Sequence, residues 1–127
     1  MLVAVVIDQK ENIVPIIDGS VIRVYNTETN THEDFHNPAV DLTEGRRGAA
    51  LSLAIDKGAA VFVAPPETFC ELSYEKAKSQ NIQFYRLNAY TSFQAFQALI
   101  QNQPLPFQNT LPEKEIVPSY VQADSNL

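Results

Sequence analysis

The chain has 127 residues, 45% of them apolar and 19% charged, enough to bury one core and too apolar for a disordered chain. Its formal charge of −6 argues against nucleic acid as a partner, because phosphate neutralisation needs clustered Lys and Arg. The single cysteine excludes an internal disulfide and fits a reducing compartment.

The continuous apolar run Leu2–Ile7 reads as a strand buried on both faces. It is too short to span a membrane and lacks a basic leader and a cleavage site, so the expectation is a cytoplasmic protein without a membrane partner. Ile13–Ile17 is a second apolar piece interrupted by Pro15, which favours an edge or an irregular loop. Val21–Tyr25 and His32–His36, separated by the polar Asn26–Thr31, predict a hairpin that stops at Asn37-Pro38.

From Thr43 onward the pattern alternates. A helix is predicted from about Glu44 to Lys57, closed by Gly58 in the left-handed region. Ala60–Ala64 is a short apolar strand, and Pro65-Pro66 break it and suit the first turn of a second helix, with Phe69, Leu72 and Ala77 as its buried stripe. Asn81 ends that helix, Ile82–Leu87 forms the last strand, and Thr91-x-x-Gln94 reads as a capping box before the stripe Phe93, Phe96, Leu99, Ile100. Four of the eight prolines fall between residues 104 and 118, where no periodicity continues. The predicted organisation is therefore one domain over residues 1–103 and an extended or disordered tail over 104–127, ordered against a partner chain. Strands joined by hairpins and then by helices give an α/β, ribonuclease H-like fold: a five-stranded mixed sheet with three helices.

Four constellations bear on chemistry. His32-Glu33-Asp34-Phe35-His36 matches the zinc-protease pattern, but that pattern works on a helix; on a strand its histidines stand ~13 Å apart. Asp8, Asp18, Asp41 and Glu44 suggest a two-metal nuclease only if they converge, and solvated loop carboxylates describe them as well. Gly45-Arg46-Arg47-Gly48 opens a helix, where free N–H groups and two guanidinium groups suit an anion. The same tetrapeptide also reads as loop geometry, with Gly48 allowing close helix–sheet packing and the arginines facing water. Cys70, near the start of the second helix, is either a small buried hydrophobe or a thiol stabilised by the helix N-terminus.

From Arg47 to Pro104 the chain resembles the dinitrogenase iron–molybdenum cofactor biosynthesis family, the NifX/NifB-type domain. The residues that carry the likeness are Gly48-Ala49-Ala50, Lys57–Val63, Ala77–Phe84 and Thr91–Ala95, with Met1–Val5, Val24-Tyr25-Asn26 and His36-Asn37-Pro38 agreeing in outline. The resemblance implies a small non-catalytic domain that binds or carries an iron–sulfur or iron–molybdenum type cluster and exchanges it with cofactor-assembly proteins. Three loops at one end of the sheet are its expected binding edge. This chain departs from the family at each: Pro15–Ser20 keeps only the glycine, Thr43–Gly48 has no histidine, and Ala64–Glu67 has prolines where the family has glycines.

Two functions follow. In the first, Gly45, Arg46, Arg47 and Gly48 cradle an anionic cluster, with His36 or Cys70 as metal ligand. In the second, the chain is an interaction or regulatory module that kept the fold and lost the cluster, with its tail joining a homodimer. A metal-dependent nuclease or protease ranks below both.

Overall fold

The computed structural model describes residues 1–102 and 107–119. Its strands are β1 (Leu2–Ile7), β2 (Val21–Asn26), β3 (Thr31–His36), β4 (Val61–Ala64) and β5 (Gln83–Arg86); its α-helices are α1 (Arg46–Asp56), α2 (Glu71–Ser79) and α3 (Phe93–Asn102). The five strands form one sheet in the order β3-β2-β1-β4-β5. β2 is antiparallel to both β1 and β3, whereas β4 runs parallel to β1, and β5 to β4. This is the expected ribonuclease H-like α/β arrangement.

β1 is central because its residues from Val3 to Ile7 are all apolar and all buried, as a strand covered on both faces requires. Alternation then sorts the core. Ala4, Val6, Ile22, Phe62, Ala64 and Phe84 pack against Ala50, Leu51 and Ala54 of α1 and Ala77 of α2. Val3, Val5, Tyr25, Val61, Val63 and Tyr85 pack on the other face against Phe93 and Phe96 of α3. No helix among the described residues is long and apolar enough to cross a membrane.

The segment His32–His36 pairs with β2 in unbroken antiparallel register, from Tyr25–His32 to Val21–His36. It is therefore a strand, and its histidines do not share a helical face. Asn81 adopts φ 62° and Gly58 φ 91°, as the helix ends demand.

Three local expectations change. α2 begins at Glu71, not at the proline pair; Phe69 is buried from the preceding loop, and Leu72 points to solvent at 73% exposure. The last helix is capped by Ser92, whose hydroxyl accepts the Ala95 N–H at 3.0 Å, so the cap lies one residue beyond Thr91. Gly48 has no atom beyond its own helix backbone within 4 Å of the place a Cβ would occupy, so close helix–sheet packing is not its reason.

Residues 107–119 of the expected tail lie along their own domain. Phe84 and Gln108 exchange backbone hydrogen bonds at 2.7 and 2.8 Å, covering the outer edge of β5. Leu111 enters the core beside Phe69 and Phe84, its N–H donating to the Tyr74 hydroxyl. Glu115 pairs with Arg86. Val117 N–H donates to Phe69 C=O, and Val117 C=O accepts the Glu71 N–H, both at 2.9 Å. The other tail positions, 104–106 and 120–127, lie outside the described residues.

Candidate functional site

Because β1, β3, β4 and β5 are mutually parallel, the chain leaves all four at the same edge of the sheet. The loops after them, and the first loop's return into β2, gather there, at the edge where open α/β sheets take ligands. They do not form one cleft. Ile17–Ser20, with Asp8 and Tyr90, lines a cleft of about 520 Å³, and Thr43–Gly48 lines another of about 550 Å³ together with the start of α2 and Ser119. The proline loop is tied to the C-terminal segment, Glu67 N–H donating to Glu115 C=O at 2.9 Å.

Asn37 fixes the first loop to the second. It is fully buried; its amide donates to Ile16 C=O and Gly19 C=O at 2.8 Å each, and its side-chain oxygen accepts the Ala39 N–H. The strand stop read in Asn37-Pro38 is thus also the clamp that joins the first loop to the start of the second.

Gly45 stands at φ 66° as the N-cap of α1, a turn that glycine makes without steric cost. The next three residues face the second cleft in different ways. Arg46 is tied back, its Nε donating to Ala39 C=O at 2.7 Å. Arg47 is not: among the described residues its Nε, shielded from solvent, has no hydrogen-bond partner and its side chain forms no ion pair. A buried guanidinium N–H without an acceptor is costly and marks where an anionic group would be welcomed. Across the cleft, Lys76 of α2 reaches Gly48 C=O at 3.4 Å and the Ser52 hydroxyl. Three cations thus meet one carboxylate, Glu44, in this cleft, on a chain whose net charge is −6.

Cys70 is the N-cap of α2, and its sulfur accepts the N–H of Ser73 while Ser73 Oγ accepts the Cys70 N–H at 3.0 Å. Burial raises the thiol pKa, but the hydroxyls of Ser119 and Ser73, the Ser73 N–H and the charge of Arg47 outweigh it and hold it below its ordinary value. Helix N-termini and neighbouring cations favour thiolates in this way.

The expected residues are therefore partly gathered. Gly45, Arg46, Arg47, Gly48 and Cys70 share one cleft. His36 does not line it; its Nε2 lies 2.6 Å from Asp41 Oδ2, both side chains more than 60% exposed. Lys76, Ser73 and Ser119 complete the cleft and were missed from the sequence. The first two had a signal: Cys70, Ser73 and Lys76 recur every three residues, so a helix starting at residue 71 sets them along one side. Ser119 had none.

As a metal site the donor set is thin. No group of three or more His, Cys, Asp or Glu residues that could hold an ion exists among the described residues, so the loop carboxylates Asp8, Asp18, Asp41 and Glu44 do not converge into one, although Asp8 and Asp18 line the same cleft. One thiol with three cations fits an anionic group that brings its own ligand shell, and does not fit a bare ion needing three or four protein donors.

Fold and cleft together define a class: a small ribonuclease H-like α/β domain with a cationic, thiol-bearing cleft at the C-terminal edge of its parallel strands. No protein-family profile matches the chain, and no curated protein matches it in sequence at a significant level. Among solved structures it is similar to the apo form of the orange protein from Desulfovibrio gigas, at 19% identity over 84% of this chain and 91% of that one, TM-score 0.67. It is also similar to a putative NifB protein from Thermotoga that belongs to the DUF35 family, at 16% identity over 89% and 97%, TM-score 0.65. At these identities the likeness establishes the fold.

Proposed function

We propose that the protein binds or carries a small anionic metal–sulfur group, without turnover of its own, and passes it to or from cofactor-assembly proteins. The observation that carries this reading is the Arg47 Nε, shielded from solvent and without a hydrogen-bond partner among the described residues, in one cleft with the Cys70 thiol and Lys76. Arg47 and Lys76 would balance the charge of such a group, and Cys70 would supply one soft anchor. Kinship of fold with the apo orange protein and the putative NifB protein supports it, as does the resemblance read from the sequence.

Anaerobic incubation with tetrathiomolybdate, and separately with ferrous iron and sulfide, tests the reading by metal analysis and visible absorption after desalting. Uptake near one group per chain is expected, reduced at least tenfold in Arg47→Ala and Cys70→Ser and unchanged in His36→Ala. A colourless wild-type protein from both incubations would sink it and leave the alternative, a domain that kept the fold as an interaction module. The Phe84–Gln108 and Val117–Phe69 bonds bear on that alternative too, since they commit much of the proline-rich segment to its own domain.

A further inference from the structure

Two backbone donors at the start of α2 are already taken. Glu71 N–H donates to Val117 C=O at 2.9 Å and Leu72 N–H to Ser119 Oγ at 3.0 Å. These are among the first free N–H groups of a nine-residue helix, the groups that bind anions when nothing else does. The acceptors come from a segment 45 or more residues away in sequence, which also forms the Pro118–Ser119 wall of the cationic cleft. An acceptor carried by the chain itself therefore stands where a ligand's negative atoms would stand.

The segment is held unevenly. Leu111 is in the core and Glu115 is ion-paired to Arg86, so residues 107–116 are anchored. Val117 and Ser119 hold by the two bonds above, the Val117 N–H to Phe69 C=O and the Ser119 N–H to Glu71 Oε1 at 3.2 Å, all on or beside the helix terminus.

We propose that Val117–Ser119 is a latch over the cleft: its carbonyl and hydroxyl occupy the N-terminus of α2, and an anionic ligand enters by displacing them. The inference deepens the anion-binding reading of the same cleft and gives it regulation. Ligand affinity is reduced by the fraction of time the latch is closed, and a partner that draws the C-terminal segment away opens the cleft.

The test uses the full chain as wild type, Val117→Pro, which removes the donor to Phe69, and Ser119→Ala, which removes the acceptor for Leu72. Amide hydrogen exchange at Glu71 and Leu72 is expected to accelerate about tenfold or more in both variants, with β1 and β4 amides unchanged. Titration with inorganic sulfate, read by the same two amide resonances, is expected to give binding at least threefold tighter in Val117→Pro than in wild type. Unchanged exchange, exchange that rises equally in the core strands, sulfate binding no tighter in the variant, or no sulfate binding in either protein would each overturn the latch. If sulfate binding tightens while no metal–sulfur group is taken up by any of the proteins, the latch stands and the cluster reading falls.

Discussion

Two glycines show how differently one residue type is held in this chain. At Gly19 a Cβ would lie 2.6 Å from Ile7 C=O, 2.6 Å from the Val6 side chain and 2.8 Å from that of Val14. The φ of −125° is open to any residue, so the requirement is space alone. Backbone and central-strand atoms cannot move aside cheaply, and Gly19→Ala is expected to cost about 3 kcal/mol or more, read as a lowered urea midpoint. Gly48 is the reverse. It sits inside α1 with empty space where its Cβ would be, so Gly48→Ala should stabilise the fold by about 0.5–1 kcal/mol. The added methyl would project from a residue that lines the cationic cleft, so the same variant should take up less tetrathiomolybdate. Higher stability with undiminished uptake would show that the empty space at Gly48 is not used by a ligand.

At the scale of elements, the C-terminal segment decides whether the domain ends near residue 103 or near residue 119. Leu111 is 9% exposed and packs in the same cluster as Phe62, Phe69 and Phe84. Truncating a buried leucine costs about 2–3 kcal/mol, whereas a side chain on a loosely attached arm costs almost nothing. Leu111→Ala is therefore expected to lower the unfolding midpoint as a single cooperative transition; a change below about 0.5 kcal/mol would mean the segment is an appendage. Periodicity in the sequence could not show this. The segment attaches through isolated bridges at Gln108 and Val117 and through single anchors spaced several residues apart, so neither a period of two nor of 3.6 develops. β1 and β4 were legible for the opposite reason: a strand covered on both faces is apolar at every position. α2 was misplaced because Pro65-Pro66 look like a helix start, while Glu67 at φ 71° turns the chain once more before Cys70 caps it. Cysteine is not among the usual capping residues, so the true start carried a weak signature. The cleft was legible on its α1 side, where Gly-Arg-Arg-Gly is contiguous, and illegible where it depends on Ser119, 49 residues beyond Cys70.

For the molecule as a whole, the opposite face of the sheet is tied together by one guanidinium. Arg23 of β2 is 4% exposed. It forms paired hydrogen bonds with Asp34 of β3, at 2.7 and 2.9 Å, and with Glu11 of the first loop, at 2.9 and 3.1 Å. It also lies over the Phe93 ring of α3 at 4.6 Å. Glu11 holds φ 62° there and its carbonyl caps α3 by accepting the Phe93 N–H. Hydrogen bonds from Arg23 lower the pKa of both carboxyls against the opposing effect of burial, and bonding to Asp34 raises that of Arg23. The pH dependence follows from the sign. Each carboxyl titrates lower folded than unfolded, so the contribution is complete above the ordinary carboxylate pKa of about 4 and is lost as pH falls through the folded values below it. In wild type the urea midpoint should hold steady from pH 8 to about 5 and then fall steeply. Glu11 and Asp34 are 60% and 41% exposed, so water can take over their solvation when the arginine is lost, which limits the damage. Arg23→Met is therefore expected to cost about 2 kcal/mol at pH 7 and to flatten the acid limb, the two curves converging as both carboxyls become protonated. Curves that stay parallel down to pH 3 would mean that Arg23 stabilises the fold by packing alone, and that acid unfolding of this chain begins at another site.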